Sequence, residues 1–311
     1  DLNGHVLKMT GDVSVLKVSD RATLTITDSS AAKSGTITGG NAEYGGGVYV
    51  DDYAALKMTG GCITGCHASR GGGGIYSSGN LYMGGTAKIE KCTGSDDAIW
   101  NRENSDIYAD GGTVDGTVNN QGTIKRSEGA AAVTVFNGTV YNRSAGTIIA
   151  GIYNGTVENN GTISGGTFCG GVTIRKGSWV WERTGSISGG TFYSSIVNEA
   201  GPERVTGVTF AVTFDRGDGT KTEPTPVKYN DLVPKPTAPT KSGYTFTGWE
   251  DANGAYDFNT PVTGPLTLTA KWEKVPSSGG NYYYHPTTDT KADDAKDSPK
   301  TADPGVALYA A

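Results

Sequence analysis

The chain has 311 residues with 48 Gly, 12 Pro, 4 Cys and 3 Met, only 35% hydrophobic letters, and 26 Lys+Arg against 32 Asp+Glu, for a formal charge of -6. Low aliphatic content beside abundant Gly, Thr and Asn excludes a helical bundle, and no run of about 18 apolar residues exists to cross a membrane. The acidic balance, without a basic cluster, leaves nothing to neutralise a phosphate backbone and sets nucleic acid aside as a partner.

Proline divides the chain, since none precedes Pro202 and all 12 lie from there to Pro304. The expected organisation is a Gly-rich zone over residues 1–205, a zone of longer alternating runs and Pro-rich turns over 206–274, and a polar stretch over 275–311. That last stretch cannot bury a core and is expected to be disordered. In the first zone, runs such as Ala22-Thr23-Leu24-Thr25-Ile26-Thr27 alternate strictly and read as strand.

The first zone also repeats. Gly35-Thr-Ile-Thr-Gly-Gly40 matches Gly61-Cys-Ile-Thr-Gly-Cys66 at an offset of 26, and Gly45-Gly-Gly-Val-Tyr49 matches Gly72-Gly-Gly-Ile-Tyr76 at 27. Ile75-Tyr76 aligns with Ile99-Trp100, and Gly161-Thr-Ile-Ser-Gly-Gly-Thr-Phe168 with Gly185-Ser-Ile-Ser-Gly-Gly-Thr-Phe192, both at 24. Short strands and Gly/Asn corners recurring in this way suit one coil of a parallel β-helix, roughly eight coils stacked at ~4.8 Å. Val48, Ile75 and Ile99 are predicted to point inward, with Gly and Asn supplying positive-φ corners. Asn137-Gly-Thr, Asn154-Gly-Thr and Asn160-Gly-Thr are read as such corners and not as glycosylation acceptors.

On these segments, together with Asp1-Leu-Asn-Gly-His-Val-Leu7, the first zone resembles the right-handed parallel β-helix family of pectate-lyase-like proteins and the β-helix repeats of bacterial surface proteins. The resemblance implies architecture alone, because that fold serves lyases, hydrolases and binding proteins. The chain opens in mid-repeat without a leader, so it is read as a fragment or processed form.

In the second zone, Val208-Thr-Phe-Ala-Val-Thr-Phe214, Gly243-Tyr-Thr-Phe-Thr-Gly-Trp249, Ala255-Tyr-Asp-Phe258 and Leu266-Thr-Leu-Thr-Ala-Lys-Trp272 resemble the internalin B-repeat, or Listeria-Bacteroides repeat. That implies a small β-grasp-like module of cell-envelope proteins, used as a spacer or weak interaction unit, with Trp249 and Trp272 as core anchors. Further on, Ser298-Pro299-Lys300-Thr301-Ala302 resembles the sortase sorting signal Leu-Pro-x-Thr-Gly, with Ser298 in place of Leu and Ala302 in place of Gly. By that analogy Thr301 would be joined to peptidoglycan. The predicted fold is thus all-β: a right-handed parallel β-helix solenoid, a β-grasp-like module and a disordered tail.

The repeat register carries the site predictions. Cys66 and Cys92 are 26 residues apart, so they occupy equivalent positions on neighbouring coils, either bonded or merely stacked, with Cys62 and Cys169 left as free thiols. Cys62, Cys66 and His67 lack further converging ligands, and neither metal nor cofactor is expected. Tyr49, Tyr76 and Trp100 should stand one above another and point outward, forming an exposed aromatic ladder that could stack on sugar faces; the alternative is that the rings merely shield strand backbone or lie buried under a loop. Trp179 and Trp181 share another face. The carboxylates Asp51, Asp52, Asp96 and Asp97, with Arg70 and Arg102 near them in sequence, read as solvated turns.

The expectation is an extracellular bacterial surface protein, attached to the cell wall through sortase, that contacts host or microbial glycans or surface proteins without catalysis. The rivals are a wall-attached polysaccharide lyase or glycoside hydrolase, and a structural stalk.

Overall fold

A computed structural model describes residues 1–95, 98–176 and 184–276. Asp1–Lys274 form one compact unit, and of the second, Val275–Ala311, only Val275 and Pro276 are described. The described chain is all-β apart from a single 3-10 turn at Pro202–Arg204.

The repeat closes into a solenoid. Leu16–Val18, Val48–Val50, Ile75–Ser77, Ile99–Asn101, Val118–Asn120, Val140–Asn142, Val157–Asn159, Val172–Ile174 and Ile196–Asn198 form a 9-stranded sheet in chain order, each strand parallel to the next. A 15-stranded sheet makes the other walls, and a 3-stranded sheet of Asn41–Tyr44, His67–Gly71 and Thr93–Gly94 flanks the early coils. Among the described residues there are thus nine rungs where about eight were expected. The expected spacing holds from Val48 to Ile75 and Ile99, and again from Val172 to Ile196, but the rungs at Val118, Val140, Val157 and Val172 crowd closer together.

Because strand side chains alternate, every second residue of each rung enters the core and stacks on its equivalents. One inward column runs Ile37, Ile63, Ile89, Val114, Phe136, Tyr153, Phe168, Phe192 through successive register pairs, with the exposed Leu7 paired to its first member. Its last four rings are nearly parallel, with centroids 5.0, 4.9 and 4.7 Å apart. The Tyr153 hydroxyl, fully buried, donates to the Ala150 carbonyl at 2.6 Å, which supplies the partner a buried phenol needs. Burial pushes its pKa well above the ordinary value.

At the corner after the 9-stranded sheet the core is polar. Asn101, Asn120, Asn142 and Asn159 are all fully buried. Each of the first three donates Nδ2–H to the Oδ1 of the next, at 2.8, 2.7 and 2.7 Å, and Asn159 ends the chain on the Ser186 carbonyl at 3.0 Å. The amides face one another because their rungs are in register, and a buried carboxamide is tolerated only when so satisfied. The corner asparagines Asn137 and Asn154 do not take positive φ. They stack instead, Asn154 Nδ2 donating to Asn137 Oδ1 at 2.8 Å on the surface.

The chain leaves the solenoid through Val205, bridged in parallel to Ile187, and Thr206, whose N–H donates to the Ile187 carbonyl at 2.8 Å. It then builds a 5-stranded mixed sheet in the order Thr225–Lys228, Thr209–Asp215, Leu266–Lys274, Tyr244–Asp251, Gly254–Ala255, of which only the pair of Thr209–Asp215 with Leu266–Lys274 is parallel. No helix packs on this sheet among the described residues. Trp249 is buried against Phe214 and Phe246, while Trp272 is half-buried, its indole N–H donating to the Arg216 carbonyl at 2.8 Å. Phe210 meets Phe192 edge-on at 6.5 Å, and Ile196 N–H donates to the Thr263 carbonyl at 2.8 Å, so the module covers the last rung.

Candidate functional site

The 9-stranded sheet brings Tyr49, Tyr76 and Trp100 onto one register line, with Val48, Ile75 and Ile99 beside them fully buried. Tyr49 and Tyr76 stack at 5.2 Å and 17°, and Tyr76 meets Trp100 at 6.0 Å. The ladder is not an open strip, however. Tyr44, from the 3-stranded sheet, packs on Tyr76 at 4.8 Å and on Trp100 at 6.4 Å, leaving Tyr76 only 8% exposed. Trp100 lies directly on Gly71, where any Cβ would collide with its ring. At Tyr76 the exposed reading therefore gives way to the covered one, the cover being Tyr44 packed from the side, which the repeat register does not encode.

What stays accessible is the end of the stack. Tyr49 is half-buried and lines a cleft of about 350 Å³ with Tyr44, Val13, Ala42, Lys17 and Glu43. Lys17 sits over the Tyr49 ring at 5.3 Å, and Glu43 is tied to Arg70 at 2.8 Å. Burial, then the charge of Asp51, pushes the Tyr49 hydroxyl up, so it remains a neutral donor. Two aromatic rings flanked by a cation and a carboxylate can grip an apolar face and its polar rim together.

The turn carboxylates form a second concavity. Asp52 and Tyr53 on one corner and Arg102, Glu103 and Asn104 two coils on enclose a notch of about 380 Å³ over Gly79. Asp51 turns away to Lys17, at 3.9 Å. Asp96 and Asp97 lie outside the described residues, as do Trp179, Trp181 and the sorting segment Ser298, Pro299, Lys300, Thr301 and Ala302. No group of three or more His, Cys, Asp or Glu is placed to hold a metal among the described residues.

All four cysteines are free thiols. Cys66 and Cys92 occupy equivalent positions, as Thr93 N–H donating to the Cys66 carbonyl at 2.8 Å requires, and both are buried. Of the two readings, bonded or stacked, the structure holds the stacked one. The neighbouring Cys66 thiol, together with burial, holds Cys92 well above the usual thiol range, and the Cys92 thiol itself donates to the Glu90 carbonyl at 3.4 Å. Burial pushes Cys62 up to about 11.

One face went unread in the sequence. Tyr82 and Tyr108, on the outer side of the 15-stranded sheet, stack at 4.2 Å and 8°. The signal was there, since Leu81-Tyr82 and Ile107-Tyr108 recur in register like the Ile75-Tyr76 and Ile99-Trp100 pairs.

These features define an all-β protein built as an all-parallel solenoid closed by a mixed-sheet module. Residues 210–271, within that module, match the Listeria-Bacteroides repeat domain. The chain is 38% identical over 87 residues to Internalin H of Listeria monocytogenes, covering 26% of this chain and 15% of that protein. It is 35% identical over 68 residues to a protein of Evansella cellulosilytica named a Gly-rich membrane protein, covering 21% of this chain and 8% of the other. The chain thus carries an internalin-type repeat, and its matches span only a small part of those relatives' length. No helix among the described residues is long and apolar enough to cross a membrane.

Proposed function

We propose that the chain is an extracellular, wall-associated, adhesin-like protein whose solenoid contacts glycans without catalysis. The observation that carries this reading is the half-exposed Tyr49 ring at the end of the aromatic stack, under Lys17 and lining a cleft with Tyr44 and Glu43. The internalin-type repeat supports the surface setting, and the division into solenoid, repeat module and terminal segment belongs to the same proposal. Wall attachment through Thr301 is its remaining part, tested by whether Thr301→Ala releases the protein from cells into the medium. The main test is a glycan array probed with the full chain. Retention that Tyr49→Ala reduces supports the reading, and a wild-type chain that retains no glycan ends it.

A catalytic second reading draws on the notch, where Asp52 and Glu103 flank Arg102. Paired carboxylates can serve as acid and base in glycoside cleavage. New reducing ends or unsaturated products from the array glycans, lost in Asp52→Asn, would favour it.

A further inference from the structure

We propose that a second saccharide site, separate from the Tyr49 cleft, lies where residues 126–134 overhang the 15-stranded sheet, and that it takes a neutral glycan. The inference rests on the reading of the chain as a glycan-contacting protein. Two long strands, Asn80–Glu90 and Asp106–Asp115, run side by side here, and their register breaks between Gly85 and Lys88. Gly85, Gly111 and Gly112 take φ values of +55°, +138° and +77° at the break, bending the sheet into a hollow. Beside them, Gly84 lies two residues after Tyr82 in the strand, yet a Cβ there would find no heavy atom nearer than 3.9 Å. An empty position next to a stacked tyrosine pair makes the floor of a cleft of about 420 Å³.

The walls suit a sugar. Gly129, Ala130 and Ala131 give a smooth apolar side, Tyr82 gives a ring, and Lys57 and Thr59 give polar groups on the other side. Asp110, the ladder partner of Gly84, is held by the Ser127 N–H at 2.8 Å and the Ser127 hydroxyl at 2.6 Å, so its carboxylate is fixed before any ligand arrives. The overhang is pinned at its far end too, the Thr134 hydroxyl donating to the Gly111 carbonyl at 2.7 Å. A preformed hollow with apolar walls and a few fixed acceptors is how small polar ligands are held.

Charge chooses the class. Lys125 spends its charge on Asp106 at 2.6 Å while covering the Tyr108 ring at 4.9 Å. The cleft itself is left with Lys57 against Asp110 and Glu128, a net negative lining that repels polyanionic chains. An extended peptide is disfavoured for another reason: Gly84 and Asp110 are already paired in the sheet, so the floor offers no free strand edge.

The test uses the full chain with cellohexaose, xylohexaose and mannohexaose as neutral probes and hexagalacturonate as the anionic one, read by affinity electrophoresis. Gly84→Trp fills the cleft, and since Gly84 is not among the positive-φ residues the change does not strain the backbone. It is expected to weaken neutral-glycan binding about tenfold or more, equivalent to ~1.4 kcal/mol. The exposed Glu128→Ala should weaken the same probe, and Tyr49→Ala should leave this share of the binding in place. Loss in Tyr49→Ala with none in Gly84→Trp would overturn the second site and spare the proposed function. Binding of hexagalacturonate alone would overturn the neutral class, and no binding of any probe would overturn the second site, the glycan-contact reading being decided by the array.

Discussion

From Ile37 to Val114 the inward column is aliphatic and fully buried, whereas from Phe136 to Phe192 the same column becomes a stack of rings. The early rungs are widely spaced along the chain and carry the 3-stranded sheet with its surface aromatics. The rungs from Val118 to Val172 are closely spaced and share the asparagine chain from Asn101 to Asn159, before the spacing widens again to Ile196. A short coil encloses little volume for aliphatic packing. Flat rings and a hydrogen-bonded amide line fill it with groups that repeat at the rung spacing. The long early coils have residues to spare, and these form the cleft at Tyr49, while the cleft at Gly84 takes its wall from residues 127–131, between the rungs at Val118 and Val140.

The sharpest way to break the contrast is to remove a ring. Phe168→Ala deletes the middle of the aromatic stack between Tyr153 and Phe192 and should cost ~3–5 kcal/mol in urea unfolding, against ~0.5–1.5 kcal/mol for Ile63→Val in the aliphatic half. Equal small losses would mean the stack is ornamental. Asn142→Ala is next: it leaves the Oδ1 of Asn159 without its donor in the core, while Asn120 Nδ2 keeps the Gly122 carbonyl at 3.0 Å, with an expected loss of ~1–3 kcal/mol. Asn142→Asp, with a charge in the same place, should lose at least as much at neutral pH.

Acid should probe the first coils through Asp28. Burial raises its pKa, but N–H groups of Gly35, Ser30 and Gly4 and the Ser30 hydroxyl outweigh that and hold it down to about 2. Because the folded value lies below the ordinary 3.8, the stabilisation is complete above that pH and fades as pH falls towards about 2. Asp28→Asn should therefore lower Tm at neutral pH and flatten its fall across that window; an unchanged acid limb would refute the assignment. The smallest effect is expected at the surface, where Arg175 bridges Glu158 at 3.1 Å and Glu199 at 2.8 Å. Arg175→Met should cost no more than ~1 kcal/mol, less in high salt.

The solenoid was legible because Ile75-Tyr76 and Ile99-Trp100 recur without change of pattern, and the structure pairs them directly. The tight coils were harder to read because their repeat unit, Gly-Thr-Val-x-Asn at Gly116, Gly138 and Gly155, recurs at shrinking intervals. The same unit marks the buried ladder, since Asn120, Asn142 and Asn159 are its last letters. Reading asparagine as a turn former hid its second use as a core hydrogen-bonding group. Burial of the rings stood among the alternatives, but that Tyr44 supplies the cover over Tyr76 was not legible, because it depends on sideways packing and not on any recurrence along the chain.

The superposition of rungs is tested most directly by hydrogen exchange at asparagine side chains, followed by NMR on protein labelled with 15N at Asn. The account predicts slow exchange for the carboxamide protons of Asn101, Asn120, Asn142 and Asn159, with Asn137 and Asn154 at the surface exchanging fast. Rapid exchange at all of them would contradict it.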